Sequence, residues 1–456
     1  YIHCDALGWL HYYSGVYRED KLDQLTVEAC AMFDEMLALA ERAIAAGQEA
    51  DDGDLLALGT GLRRHATNSL NLPKRDKAKL AAESKRTVDF SQLDRHRDLL
   101  VASNCVIDLR DGSTTEHDRS LYMTAGLDVP FDIDAKAPRW ERFIDEITLG
   151  RKDLAAFLQT VVGYGITART DAQVAILLVG KGSNGKSVFL NALRNVFEPI
   201  TTIAAFSTFE KKTGSGGSSD IAELAGARLA IATEGERRAP IAEAVLKRVT
   251  GSDPLSAAHK YRDHFTFQPR FLLMLATNYR LAITGQDEGI WRRMVTIPFD
   301  AYFSGESRDI FIEDKLADEA PGILAWAVRG SVDWYANGLQ IPQLILDAVK
   351  EHRDSSDSLL GFIPEIVNTY TKTELSTLPT LASTPPKPIG GTAIYQHYVD
   401  WAAREMVPAM SKRALYEAVS ERLPDSEKFR QSGGTAFRNV RITSPGVGGA
   451  ASLQDF

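Results

Sequence analysis

Residues 180–187 read Gly-Lys-Gly-Ser-Asn-Gly-Lys-Ser, a G-x-x-x-x-G-K-S spacing. The chemistry of such a stretch is phosphate binding. Small residues let successive backbone N–H groups turn inward onto phosphate oxygens at a helix N-terminus. At this spacing Lys186 reaches the β- and γ-phosphates of ATP, and the Ser187 hydroxyl ligates Mg²⁺. Gly180, Lys181, Gly182, Ser183, Asn184, Gly185, Lys186 and Ser187 are therefore the candidate ATP-binding residues. A glycine turn that binds nothing is the plain alternative. The context argues against it, because an apolar strand pattern (Ala175 to Val179) precedes the turn and helical spacing opens at Lys186.

Three further groups follow in order. Ala227 to Glu236, ARLAIATEGE, reads as a buried strand ending in Glu234 and Glu236. One carboxylate, assigned to Glu234, would join Ser187 on the metal, and the other would orient and deprotonate the attacking water. Solvated carboxylates after a strand are the alternative. Arg270 to Asn278 reads as a third buried strand, and Asn278 would bond the γ-phosphate or the lytic water, although a lone Asn at a strand end is more often a turn-former. Arg292 and Arg293 stand side by side, and either would neutralise the transferring phosphoryl group across a subunit interface; surface salt bridges are the alternative role. Between the second and third strands, Leu255 to Gln268 suggests a β-hairpin with a basic, aromatic tip at His259, Lys260, Tyr261 and Arg262. Such a tip suits single-stranded nucleic acid, with cations on phosphates and an aromatic for a base. An ordinary exposed hairpin end is the alternative.

These groups need a scaffold, and the composition allows one. The 456 residues, 44% apolar and 25% charged, suit about three globular domains. No apolar run is long enough for a membrane span, and three dispersed cysteines (Cys4, Cys30, Cys105) fit a reducing cytoplasm. The start carries no signal-peptide pattern, and with Tyr1 in first place we expect a fragment or a processed chain. The net charge of −9 is unevenly spread. Residues 1–59 hold 12 acids against 3 Lys/Arg, whereas residues 60–97 hold 10 Lys/Arg against 4 acids. That basic stretch is either a solvated helical face or a nucleic-acid contact.

In chain order, residues 1–20 suggest a small hairpin, 22–46 one or two amphipathic helices, and 138–158 a helical run into the core. Helical spacing returns after Phe299 through Leu339. Residues 371–391, rich in Thr, Ser, Pro and Gly, read as a linker. Beyond it come two helices, the second capped by Ser411, then a basic loop and strand. That order fits a winged-helix module or a protein-docking module.

Taken together, Gly180 to Ser187, Ala227 to Glu236, Leu246 to Pro254, Leu275 to Asn278 and Asp287 to Phe299 resemble superfamily III helicases of the phage/plasmid primase–helicase type, akin to the poxvirus primase–helicase. Asn104 to Ser113, Phe143 to Gly165, Pro321 to Gly330 and Tyr395 to Ile442 extend the resemblance over most of 95–445. It implies a hexameric ring with ATP between subunits, the acidic pair at Glu234 and Glu236, a sensor at Asn278, a trans-acting finger at Arg292 or Arg293, and channel contacts at His259 to Arg262. Lys260 departs from the family, where an apolar residue is more usual, so Tyr261 and Arg262 carry more of that expectation. The family moves 3′ to 5′ on DNA; its upstream primase domain has no counterpart here, so this chain is not expected to make primers.

The expected fold is α/β: a P-loop, AAA+-like superfamily III core (151–345) behind an α-rich N-terminal domain (1–150), a helical segment and linker (346–391), and a winged-helix-like DNA-binding module (392–456). The expected function is an ATP-dependent DNA helicase of phage or plasmid replication, using ATP and Mg²⁺ on single-stranded or forked DNA, as a homo-oligomer in the bacterial host cytoplasm, beside a primase or polymerase. An ATP-gated origin-binding initiator or scaffold with little unwinding is the alternative. A small-molecule P-loop kinase leaves the basic hairpin and the C-terminal module unexplained.

Overall fold

The computed structural model describes residues 1–211, 218–233, 241–258, 264–279, 281, 283, 288–305, 308–356, 359, 362–369, 387–405, 409–423 and 425–442. The chain divides into two units, Tyr1–Val349 and Lys350–Phe456.

The first unit opens with strands β1 (Ile2–Cys4), β2 (Gly8–Tyr13) and β3 (Val16–Glu19), paired antiparallel in that order. The expected hairpin is thus a three-stranded meander, because Gly8 (φ 77°) closes a turn over residues 5–7 that the aromatic pattern hides. Helix α1 (Gln24–Glu49) is one continuous helix and pairs with α2 (Gly53–Ser69). Their backbones approach closely, since a Cβ on Gly47 would lie 2.8 Å from the Leu56 nitrogen. Asp52 caps α2 by accepting from the Asp54 and Leu55 N–H groups. The basic stretch falls on the second half of α2 and on α3 (Leu72–Arg86), which buries none of its residues. A small sheet follows, β4 (Leu99–Val101), β5 (Val106–Asp108) and β6 (Thr114–Thr115). The helical run expected over 138–158 is broken into α4 (Pro138–Ile147) and α5 (Lys152–Ile166) by Leu149 and Gly150, at φ 55° and 72°.

The centre of this unit is a parallel sheet. Its chain order is β7 (Ala175–Val179), α6 (Lys186–Phe197), β8 (Thr201–Ile203), α7 (Ser218–Ala222), β9 (Leu229–Thr233), α8 (Glu243–Val249), the hairpin β10 (Leu255–Ala258) and β11 (His264–Phe267), β12 (Leu272–Thr277), α9 (Glu288–Trp291) and β13 (Met294–Pro298). In space the strands run β13-β7-β12-β9-β8, with every neighbouring pair parallel. A parallel sheet covered on both faces demands continuous apolar strands. Accordingly, Ile176 and Leu178 of β7 join one core cluster and Ala175 and Leu177 the other. Helices α10 (Ile312–Ala317) and α11 (Ala320–Asn337) follow, and α11 lies against α5 so tightly that a Cβ on Gly163 would meet the Gly330 carbonyl carbon at 2.1 Å. Arg228 ties the sheet's base to the preceding domain, donating to the Ile166 and Leu99 carbonyls at 2.6 and 2.7 Å. Helix α12 (Gln343–Ser356) leads into the second unit.

The second unit holds β14 (Ile366–Asn368), β15 (Ile389–Gly390), α13 (Gly391–Arg404), α14 (Lys412–Arg422), β16 (Glu427–Gln431), β17 (Gly434–Arg438) and β18 (Val440–Ile442). Strands order as β15-β17-β16, and β14 pairs with β18. Its core centres on Phe362, Tyr398 and Phe437. The Ser411 hydroxyl caps α14 as expected, accepting from the Ala414 N–H at 3.4 Å. Most of the expected linker, residues 371–386, lies outside the described residues.

Candidate functional site

The phosphate-type loop lies at the C-terminal end of β7, which is flanked in the sheet by β12 and β13, and leads into α6. In open parallel sheets this is where ligands sit. The loop conformation requires its glycines. Gly182 and Gly185 have φ of 97° and 87°, and a Cβ on Gly180 would lie 2.1 Å from Asn184 Nδ2 and 2.4 Å from the Phe299 carbonyl. Ser183 also takes positive φ, at 48°. The loop is pinned to the segment after β13, as Phe303 N–H donates to the Ser183 carbonyl at 2.7 Å and Asn184 Nδ2 donates to the Phe299 carbonyl at 3.1 Å.

Lys186 is 6% exposed, and its ammonium has three oxygen acceptors. Nζ donates to the Gly180 carbonyl at 2.7 Å, to Asn184 Oδ1 at 3.1 Å and to Asn278 Oδ1 at 3.2 Å. None of these acceptors is charged. Burial pushes the amine below its ordinary value, because nothing anionic compensates the lost hydration. Gly185 is the N-cap of α6 and supplies no capping side chain, and the Lys186 N–H donates to Asn184 Oδ1 at 3.5 Å, so the first turn of a twelve-residue helix begins beside this cation. Ser187 is exposed, and Lys181 and Ser183 form the loop's outer edge.

The loop borders a cleft of about 850 Å³. Gly182 to Ser187, Thr277 and Asn278 at the end of β12, and Thr233 at the end of β9 line it. Thus Asn278 and Lys186, far apart in sequence, meet here. Glu234 and Glu236 lie outside the described residues, as do His259, Lys260, Tyr261 and Arg262, which fall between β10 and β11 in the sequence. Arg292 and Arg293 behave differently from each other. Arg293 turns inward, donating to the Gly289 carbonyl and to Gln173 Oε1, both at 3.0 Å; Arg292 is exposed. Neither lines the cleft.

Some lining residues had no signal in the sequence. Arg139 of α4, Arg194 of α6 and Arg308 all reach the cleft wall. Arg139 is held by Glu146 at 3.3 Å and by Asp309 at 3.9 Å. Only tertiary packing brings these three distant positions together. No group of metal-ligating side chains occurs among the described residues.

Two family models match this chain. Residues 1–149 match the D5 N-terminal-like family, and residues 178–293 match a family of unknown function, DUF5906, across the loop and the β9–β12 sheet. A protein of Acanthamoeba polyphaga mimivirus named "Putative helicase L207/L206" is 24% identical over 233 residues, covering 46% of this chain and 24% of the viral protein. The matches thus join a D5-type N-terminal segment to a helicase-like relative, the combination expected of a phage primase–helicase. The chain spans about a quarter of the mimivirus relative's length. Apo structures of the NrS-1 C-terminal region (305–718) are also similar, at TM-scores of 0.41 and 0.40 and 11% and 12% identity, covering 68% of this chain and 78% of theirs. In this chain the D5-type match ends just after α4, and the DUF5906 match contains the Lys186 loop and Asn278. No helix among the described residues is long and apolar enough to cross a membrane.

Proposed function

We propose that this chain is the motor segment of a replicative DNA helicase, hydrolysing ATP with Mg²⁺ in the Lys186 cleft of a P-loop, AAA+-like core. One observation carries the reading. A buried lysine rests on three neutral oxygens at the open N-terminus of α6, where sheet strands end. That cation and the helix N–H groups offer a triphosphate its counter-charge and its donors. Ser187 would ligate the metal with Glu234, Glu236 would orient water, and Asn278 would connect the γ-phosphate to the end of β12.

The remaining roles follow from position. Arg292 is exposed and away from its own cleft, which suits an arginine given to a neighbouring subunit in a ring, six-membered in the resembled family. The β10–β11 hairpin would present His259 to Arg262 to single-stranded DNA with 3′-to-5′ movement, and the helix pair α13–α14 with β16–β17 would serve as the winged-helix-like module. A primase or polymerase would be its partner at a fork.

The decisive experiment compares the wild type with Lys186→Ala in ATP turnover, with and without single-stranded DNA, and in unwinding of a forked duplex. Loss of turnover in the variant and strong stimulation by single strands are expected. Turnover unchanged by Lys186→Ala removes the loop from the active site. Turnover indifferent to DNA points to an initiator or scaffold.

A further inference from the structure

We propose that the groove between the N-terminal meander and helices α1 and α3 is a second nucleotide-recognition site, taking one base with its phosphate. It stands apart from the Lys186 cleft and uses the basic stretch that the motor reading leaves without a role. The groove has a volume of about 420 Å³, within the usual range for small-ligand sites. Trp9 of β2, Phe33 of α1 and Tyr1 give it aromatic walls, and Lys74, Arg75 and Arg86 of α3 give it cations.

The rings are held by neighbours. Trp9 meets His3 edge-on at 5.4 Å, and Phe33 meets His65 at 6.5 Å. Preset aromatic faces suit a base, since every base has a π-face to stack. The polar groups are one-sided. Among the described residues no carboxylate lines the groove; nearby Asp23 is held by Lys79 at 2.5 Å, and Glu28 sits beside the Tyr1 hydroxyl. Among the described residues Trp9 Nε1 and Arg75 Nε are shielded donors without an acceptor, and Arg75 Nη1 donates to Cys30 Sγ at 3.3 Å. The ammonium of Lys74 and the guanidinium groups of Arg75 and Arg86 carry donors only, and base edges and phosphate oxygens supply acceptors for them. Helix α3 carries six Lys/Arg against two acids in a chain whose net charge is −9, so the patch is local and selective for anions.

The same chemistry fits a free nucleotide or a residue of a single strand, and the test separates them. The full chain is titrated with a short labelled oligothymidylate, with dTMP as competitor, and crosslinked to a 5-iodouracil-substituted strand. Crosslinks to peptides bearing Trp9 or Phe33 are expected. Lys74→Glu/Arg86→Glu alters two exposed residues, so folding is retained; it should weaken strand binding about tenfold and flatten its salt slope by ~1.4, while leaving ATP turnover unchanged. Lys186→Ala should leave these crosslinks in place, so failure of the motor reading would not touch this site. Competition by dTMP at concentrations near that of the strand supports a free nucleotide as the ligand; retained strand binding without competition supports a strand. Unchanged affinity in the double variant, with every crosslink beyond residue 86, overturns the site.

Discussion

Asn278 Oδ1 lies 3.2 Å from Lys186 Nζ, joining the end of β12 to the first residue of α6. The strand that follows the hairpin is thereby connected to the cation that would hold phosphate. A change at either residue reaches the other directly.

Asn278→Asp should expose this coupling. The new carboxylate would pair with the Lys186 ammonium, and a charge-assisted bond of this kind contributes about 1.5–3 kcal/mol. The nucleotide-free protein should melt higher, and ATP should bind about tenfold or more weakly, because the carboxylate both occupies the lysine and repels the γ-phosphate. Calorimetric titration with a non-hydrolysable ATP analogue, alongside thermal melts, checks both signs. Tighter nucleotide binding would sink the assignment.

Lys186 also predicts a pH dependence. Its folded pKa is depressed by burial, so between that value and the ordinary lysine value the unfolded chain binds more protons than the folded one. Stability from this residue therefore rises with pH across the alkaline window and is lowest below it. Relative to Lys186→Met, which has no such proton, the wild type should gain melting temperature as pH climbs toward about 10.5. A difference that stays flat, or that falls with pH, contradicts the burial argument.

Glycine replacements separate packing from backbone strain. Gly180→Ala would drive a methyl into Asn184 Nδ2 and the Phe299 carbonyl, whereas Gly182→Ala meets nothing within 4 Å and suffers only from φ of 97°. Gly180→Ala should cost about 2–3 kcal/mol and abolish nucleotide binding, and Gly182→Ala about 1 kcal/mol with partial loss. Denaturant melts and nucleotide titration of the two variants rank them.

Legibility in the sequence followed physical locality. Strands β7 and β12 were readable because a strand buried on both faces must be apolar throughout, and the loop because its chemistry sits within eight consecutive residues. The α4–α5 break was missed because Leu149 takes positive φ without a glycine signal of its own, and Gly150 alone resembles a tolerated helix residue. Arg139 and Arg308 were invisible for another reason. Each reaches the cleft through packing of elements far from the loop in sequence, and a lone arginine carries no periodicity. The Trp9 groove likewise needs β2, α1 and α3 assembled before its aromatic and basic residues share a wall.

The adjacent arginines give the sharpest division. Arg293 donates to the Gly289 carbonyl and to Gln173, so Arg293→Ala should cost about 1–2 kcal/mol of stability. Arg292 is exposed and should cost less than about 0.5 kcal/mol. If Arg292 acts across an interface, Arg292→Ala should nonetheless lose most ATP turnover, with nucleotide affinity nearly kept. Mixing it with Lys186→Ala subunits then provides the test. Each variant alone would be inactive, but a mixed ring contains interfaces pairing an intact Lys186 loop with an intact Arg292. Turnover in the mixture above the sum of the two separate proteins is expected. A mixture that stays silent while wild-type rings turn over removes Arg292 from the neighbouring subunit's site.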